Sequence, residues 1–465
     1  MEKSLCKQLA AIVGQEHCLT SPEELACYSY DASGQAFMPE VVLFPDRATQ
    51  VAAILRLANQ HRFPVVARGA GSGMTGGSLP VRGGVVLACS RMNRIVEIDA
   101  DNMLCVVEPG VITGELQEAV RHHGLMYAPD PASLKFCTIG GNVAECAGGP
   151  SAVKYGVTRD SLLGLEVVLP TGEIMRTGVR TEKGVTGYDL THLFAGSEGT
   201  LGIFTRLILR LLPAPEARTT FLLTLDSLSR ATGLVAEIIQ SGLSPCTLEY
   251  MDKTAISVVA DRISLPLPKS TEALLLVELD GSKTEVSDQS RRLLRFLADR
   301  KISYRQATDD DEIRELWQAR RAISPATFAI RPHKISEDVV VPRSRIPELV
   351  RFTTELSQRL ELTILTFGHA GDGNIHVNIM LDKTDQAELE RALKAREELF
   401  TRVLKLQGTL SGEHGIGITK SSFLAQELDP TALALMQKIK NLFDPNDILN
   451  PGKIFPRQEL QTGDD

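Results

Sequence analysis

Cysteine pairs at metal-ligand spacing are missing from this chain, and so are an excess of basic charge, a long apolar run and an apolar leader. Eight cysteines stand at 6, 18, 27, 89, 105, 137, 146 and 246, none of them in a C-x-x-C pair. That scatter excludes a zinc ribbon or an iron–sulfur cluster held by this chain, and it reads as reduced, buried thiols. The 465 residues carry 50 Lys and Arg against 58 Asp and Glu, a net charge of -8. With no basic stripe to neutralise phosphates, nucleic acid is not an expected partner. No stretch approaches the roughly 18 apolar residues of a membrane-spanning helix, and Met1-Glu-Lys-Ser-Leu-Cys6 opens with mixed charge instead of a secretory leader. A cytoplasmic protein is expected, not transmembrane, with any membrane association running through a partner subunit. There is no internal repeat and no low-complexity segment beyond the final Gln461-Thr-Gly-Asp-Asp465.

What is present is length enough for two or three domains. Residues 1–30 read as helical, and the stretch up to Pro213 is otherwise strand-rich, with short helices and three separated glycine-rich loops. The first loop, Arg68-Gly-Ala-Gly-Ser-Gly-Met-Thr-Gly-Gly77, continues to Gly84, and seven of the 16 residues from 69 to 84 are Gly. Gly71-x-Gly73-x-x-Gly76 satisfies the dinucleotide fingerprint, but a Rossmann site needs a helix directly after it. Ser78-Leu-Pro-Val-Arg-Gly-Gly84 and the strand Val85-Val-Leu-Ala88 follow instead. The loop suits a backbone nest around a pyrophosphate, with no Cβ in the way. The second region runs from Pro129 through Thr138-Ile-Gly-Gly-Asn142 to Gly156, and the third is Gly196-Ser-Glu-Gly-Thr-Leu-Gly-Ile203. Separated loops of this kind suit a ligand laid along a cleft.

After Pro213-Ala-Pro215 longer amphipathic helices alternate with strands, which predicts an α+β domain with an antiparallel sheet and helices on one face. Within it, Thr363–Phe367 and Ile375–Leu381 read as a hairpin turned by Gly371-Asp-Gly-Asn374. Period-2 alternation then puts His376, Asn378 and Met380 on one face, with His369 across the hairpin. Glu413 and His414 sit in a glycine-crowded loop, Ser411-Gly-Glu-His-Gly415, that glycines let approach closely. Two His and a carboxylate suit Zn, Fe or Mn with positions open for substrate oxygens; single histidines are otherwise often satisfied core residues. Arg320 and Arg321 can bind a carboxylate bidentately or line a solvated helix face.

With these motifs in hand the chain resembles the FAD-linked oxidoreductases of the vanillyl-alcohol-oxidase type, in the 2-hydroxyacid branch of glycolate oxidase flavoprotein subunits, D-lactate dehydrogenases and D-2-hydroxyglutarate dehydrogenases. The resemblance spans Phe44-Pro45 to Asn450-Pro-Gly-Lys453 and is most specific at Arg68–Gly77, Thr138–Asn142, Gly196–Ile203, Gly368–Asn378 and Gly412–Gly415. It implies a PCMH-type FAD-binding domain over 1–213, an α+β cap, or substrate, domain over 214–412, and a short helical C-terminal segment over 413–465 that returns to the first. FAD contacts are implied at Arg68, Gly69, Gly71, Ser72, Gly73, Thr75 and Gly76. Further contacts are implied at Pro131, Thr138, Gly141, Asn142, Gly149, Tyr155, Glu198, Ile203 and Asn450. No His lies between 68 and 84, so the flavin is expected to be non-covalent. The same resemblance implies His369, His376 and Glu413 as ligands of a divalent metal and His414 as general base. It implies Arg320, Ser324, Lys334 and Asn378 as substrate contacts. The expected activity is oxidation of a D-2-hydroxy acid to the 2-oxo acid. Electrons would pass to an iron–sulfur subunit, an electron-transfer flavoprotein or a quinone-linked carrier. A non-catalytic FAD-binding electron-transfer subunit, or a metal-free alcohol or sugar oxidase of the same fold, are the competing expectations.

Overall fold

The computed structural model describes residues 1–262, 267–307 and 309–456; the terminal stretch 461–465 singled out above lies outside them. The chain divides into two compact units, Met1–Ala147 with Val157–Pro213 and Glu413–Asp465, and Gly148–Gly156 with Ala214–Gly412.

The first unit holds two main sheets. In one, strands β1 (Cys18–Leu19), β2 (Val41–Leu43), β3 (Val65–Arg68) and β4 (Val85–Ala88) lie in the order β1-β2-β4-β3. The three longer strands run parallel and are Val- and Leu-rich because both of their faces are covered. Val41, Leu43, Val85 and Leu87 pack on the helices Lys3–Val13 and Ala48–His61, while Val42, Val66 and Val86 meet Leu25 and Phe44. The helical reading of residues 1–30 is corrected only in part, by a short strand between two helices. Gly14, at φ +96°, ends the first helix, and Cys18–Leu19 then pairs with Val42 and Leu43 before a second short helix, Pro22–Ala26.

The second sheet of this unit is antiparallel. Strands β5 (Ile95–Asp99), β6 (Leu104–Val107), β8 (Leu162–Val168), β9 (Ile174–Gly178) and β10 (Ile203–Arg210) take the order β5-β6-β10-β8-β9. The small pair β7 (Leu125–Met126) and β11 (Leu212–Pro213) stands beside it. Phe194, Val143, Ile139 and Leu116 fill the space between that sheet and its helices. One of these helices, Ile139–Glu145, lies inside the second expected glycine-rich region. Thr138 accepts a hydrogen bond from Gly141 N at 3.3 Å and caps it, which offsets two consecutive glycines in its first turn. The C-terminal segment rejoins the unit at β3, where Val65 N donates to Ile448 O at 2.7 Å and Asn450 N to Val65 O at 2.9 Å.

The second unit is built on one seven-stranded antiparallel sheet. Its strands are β12 (Ala217–Leu225), β13 (Thr247–Asp252), β14 (Ala273–Gly281), β15 (Ser303–Gln306), β16 (His333–Val340), β17 (Thr363–His369) and β18 (Asn374–Leu381), in the order β15-β12-β14-β13-β17-β18-β16. The register pairs Glu249 with Leu276, Met251 with Phe367, Phe367 with His376, and His376 with Asp338. These residues, with Asn378, Met380 and Lys334, therefore share one face. Helix Asp310–Ala326 covers it through Leu316, Trp317 and Ile323. The opposite face, carrying Leu275, Val277, Tyr250, Val377 and Ile379, lies under the helices Leu228–Gln240, Lys283–Asp299, Ile346–Leu360 and Gln386–Lys405. Helices thus cover both faces, where the sequence led to one. A two-sided sheet explains why nearly every β14 and β18 side chain is buried.

Candidate active site

The first unit encloses a cavity of about 240 Å³, far above the roughly 10–15 Å³ that one water needs. Its wall is the glycine loop 68–73 with Gly77, the segment Pro131–Ser133, the helix Ile139–Glu145 and the turn Glu198–Phe204. Glu413 and His414 complete it. Arg68, Gly69, Gly71, Ser72, Gly73, Pro131, Thr138, Gly141, Asn142, Glu198 and Ile203 all line this space.

The loop holds its shape through Arg68, which is buried and donates to Tyr30 O at 2.7 Å and to Ser78 Oγ at 3.2 Å. Gly71 has φ +69°, and a Cβ there would sit 2.1 Å from Arg68 Nη2; Gly73 has open space at its Cα. Such a cradle of bare backbone fits a pyrophosphate, while Met74, Pro109 and Phe204 offer apolar wall to a flat ring. The observed lining fits FAD.

Three expected contacts stand behind that lining. Thr75 is buried and donates to His414 O at 3.0 Å, and its own carbonyl accepts from Ile418 N at 2.8 Å. Gly76 lies against Ile418. Asn450 donates to both Gly77 O and Glu198 O at 2.7 Å, tying the first loop to the third. Gly149 and Tyr155 belong to the second unit, because the chain crosses to it at Gly148; there Tyr155 donates to Asp280 Oδ2 at 2.8 Å.

Glu198, at φ +51°, accepts Ile416 N and Gly417 N at 2.7 Å each. Glu145 has no such donors among the described residues: its Oε2 is buried without a partner there. Burial pushes both carboxyls up, Glu145 much the further because Glu198 adds repulsion, whereas two N–H donors hold the Glu198 charge.

The second unit supplies a different constellation. His369 and His376 lie edge to face, ring centroids 5.1 Å apart, with one nitrogen of each within 4.8 Å of the other. His369 Nδ1 meets Glu249 Oε1 at 2.6 Å, so Nε2 is the ring nitrogen that Glu249 does not occupy. Glu249 Oε2 accepts from Arg320 Nε at 2.7 Å, and Arg320 stacks over Phe367 at 4.8 Å. Glu249 is fully buried; burial alone would raise its pKa, but Arg320 and then His369 bring it down to about 2. A carboxylate behind a histidine is the usual arrangement that orients a metal-ligating imidazole, so the donor set fits a divalent ion.

Beside it, Asn378 is 0% exposed, and neither end of its amide has a partner among the described residues. An unsatisfied buried amide costs about 1–3 kcal/mol and points to a ligand. Lys334 donates to Ser324 O at 3.0 Å and Ser324 Oγ at 2.8 Å, and burial brings its pKa down to about 8. Asp338 accepts Gly412 N at 2.9 Å and Ser411 Oγ at 3.3 Å, so the chain leaves this sheet next to His376.

Sequence reasoning missed Glu249 and Glu145. The only trace of Glu249 was an acid in the middle of the mostly apolar strand Thr247–Asp252, on the parity of Met251. Glu145 lay inside a stretch read as glycine loop, which hid its helical setting.

Two family models match the chain: an FAD binding domain over residues 39–178 and the C-terminal domain of FAD linked oxidases over residues 214–454. It is 41% identical over 457 residues to the glycolate oxidase subunit GlcD of Bacillus subtilis (strain 168), covering 98% of this chain and 97% of that one. It is 35% identical over 443 residues to a D-lactate dehydrogenase of Anaerostipes hadrus, covering 93% and 91%. Among solved structures, p-cresol methylhydroxylase with substrate bound superposes with a TM-score of 0.80 over 97% of this chain and 96% of that one, at 19% identity, a likeness of fold. From the glycine-walled cavity to the histidine hairpin, this chain belongs to the FAD-linked oxidases with a PCMH-type FAD-binding fold, in the 2-hydroxyacid branch.

Proposed function

We propose that the protein oxidises a D-2-hydroxy acid, of the D-lactate or glycolate kind, to the 2-oxo acid. The observation that carries this reading is the Glu249-backed histidine pair beside the unsatisfied amide of Asn378. FAD, which the glycine-walled cavity would hold non-covalently, would supply the hydride acceptor. His369, His376 and Glu413 would hold a divalent ion, which would supply Lewis acidity toward the substrate hydroxyl. Glu413 is peptide-bonded to Gly412, itself anchored on Asp338 opposite His376, and consecutive Cα atoms are about 3.8 Å apart.

The chain's own residues do the rest. An imidazole nitrogen of His414 takes the hydroxyl proton. Asn378 offers both a donor and an acceptor to the hydroxy-acid head. Arg320 and Lys334, with Ser324 beside it, attract the carboxylate, and Glu249 fixes the Arg320 fork before substrate arrives. Electrons leave through a partner, in keeping with a relative named as a subunit. The partner would be an iron–sulfur subunit, an electron-transfer flavoprotein or a quinone-linked carrier. No described helix is long and apolar enough to cross a membrane, and the same reading keeps the protein cytoplasmic, membrane-associated only through that partner.

Chelation tests the reading. Stripping metal from the holoprotein should abolish flavin bleaching by 2-hydroxy acids while leaving FAD bound, and added Zn, Fe or Mn should restore it. Full bleaching by the stripped protein would support the metal-free alcohol oxidase instead.

A further inference from the structure

One side chain in the cofactor cavity is left over by the reading above. Glu145 lies at the C-terminal end of helix Ile139–Glu145 and lines the cavity. Two glycines make room for it. A Cβ at Gly77 would sit 2.4 Å from Glu145 Oε1, and one at Gly415 would sit 2.4 Å from Glu145 Oε2 and 3.0 Å from Glu198 Oε1. Glu145 thus spans from the end of the first glycine loop to the space beside Gly415, which it shares with Glu198.

The surrounding charges decide its state. Glu198 is satisfied by two backbone N–H donors. Lys453, the cation nearest in effect to Glu145, has its ammonium engaged by Leu79 O and by Asn450 Oδ1 at 2.9 Å. Asp31 adds a further negative charge, Lys420 acts on Glu198, Arg68 is turned to Tyr30 and Ser78, and Glu413 and His414 line the same cavity. A second carboxylate without donors, next to Glu198 and Asp31, has nothing to hold its charge. Its buried Oε2 has no partner among the described residues. Bound FAD brings phosphate oxygens and ring acceptors, all needing donors.

We propose that Glu145 is kept as the neutral carboxylic acid and donates its O–H to an acceptor atom of the bound FAD. The residue then does two things: it supplies one directed hydrogen bond, and it keeps a further anion away from an anionic cofactor. The inference rests on the cavity holding FAD, which the flavin absorbance of purified holoprotein tests separately.

The experiment measures FAD release from holoprotein across pH for wild type, Glu145→Gln and Glu145→Leu. The acid must be protonated to bind, so wild-type Kd should be flat at low pH. It should then rise up to tenfold per pH unit once Glu145 ionises in the cofactor-free protein. Glu145→Gln keeps a donor without a titrating proton, so it should stay within about threefold of wild type at low pH and lack the alkaline limb. Glu145→Leu should bind about tenfold or more weakly at every pH, the effect of one lost hydrogen bond to a charged or strongly polar acceptor. Infrared spectroscopy gives a readout independent of the variants' folding: a carboxylic-acid C=O band in wild-type holoprotein that disappears when alkali releases FAD. The proposal is overturned if Glu145→Gln keeps the alkaline limb, if Glu145→Leu binds as tightly as wild type, or if that infrared band is absent.

Discussion

Glu249→Gln is the perturbation whose consequences the structure lets one work out most fully. The carboxylate is fully buried and divides its oxygens, Oε1 to His369 Nδ1 at 2.6 Å and Oε2 to Arg320 Nε at 2.7 Å. Both partners are donors. A glutamine amide has one acceptor and one NH2, so whichever way it turns, an NH2 faces a donor. The Arg320 charge, 7% exposed, also loses its counter-ion. Breaking one side of a buried pair costs about 3–5 kcal/mol, and losing the carboxylate behind a ligating histidine costs about 10–100-fold in metal affinity. Denaturant unfolding reads the first number and metal titration of the folded protein the second. Arg320→Met separates the two roles: it leaves the Glu249–His369 bond in place and should weaken metal binding by much less than Glu249→Gln. Equal metal affinities in wild type and Glu249→Gln would refute the orienting role and reduce Glu249 to a structural partner of Arg320.

Three further outcomes follow from single residues. Asn378→Leu removes an amide with no partner among the described residues, so the variant should be more stable by about 1–2 kcal/mol in denaturant melts yet lose substrate-driven flavin reduction; a destabilised variant would show that the amide is satisfied. Gly71→Ala forces φ +69° on an L-residue and a methyl into Arg68, and should be purified largely without FAD, as read by its visible spectrum. Lys334 is expected to contribute its charge to carboxylate binding only while protonated. With its pKa brought down to about 8, KM for the acid should rise as pH climbs through about 8, and Lys334→Met should raise KM below that pH and flatten the rise. Since its folded pKa lies below the ordinary lysine value of 10.5, the same group makes folding more favourable, not less, as pH rises from about 8 toward 10.5.

The sequence made some of this plain and hid the rest for physical reasons. Period-2 alternation in Asn374–Leu381 shows that His376, Asn378 and Met380 share a face, and the structure keeps them there. Glycine clusters bracketed by strands separated a cofactor cleft from a Rossmann site, because no helix follows Gly76. Glu249 stayed hidden because its partners are 71 and 120 residues away along the chain, and no local pattern encodes a cross-sheet ion pair. The crossing at Gly148–Gly156 was equally silent: Lys154 and Tyr155 look like ordinary polar residues until Asp280, on a strand well over a hundred residues later, receives both. Helices on both faces of the large sheet follow from strands buried on both sides, a pattern that short apolar runs share with buried helix segments.

The central claim is that His414 and the histidine hairpin deliver a 2-hydroxy acid to FAD, and anaerobic mixing tests it most directly. Holoprotein mixed with a panel of D- and L-2-hydroxy acids should bleach its flavin spectrum with a D-acid or glycolate and not with the L-enantiomers. His414→Ala should retain FAD and bleach about 100-fold or more slowly. A flavin that no 2-hydroxy acid reduces, or that His414→Ala reduces at close to the wild-type rate, would contradict the account.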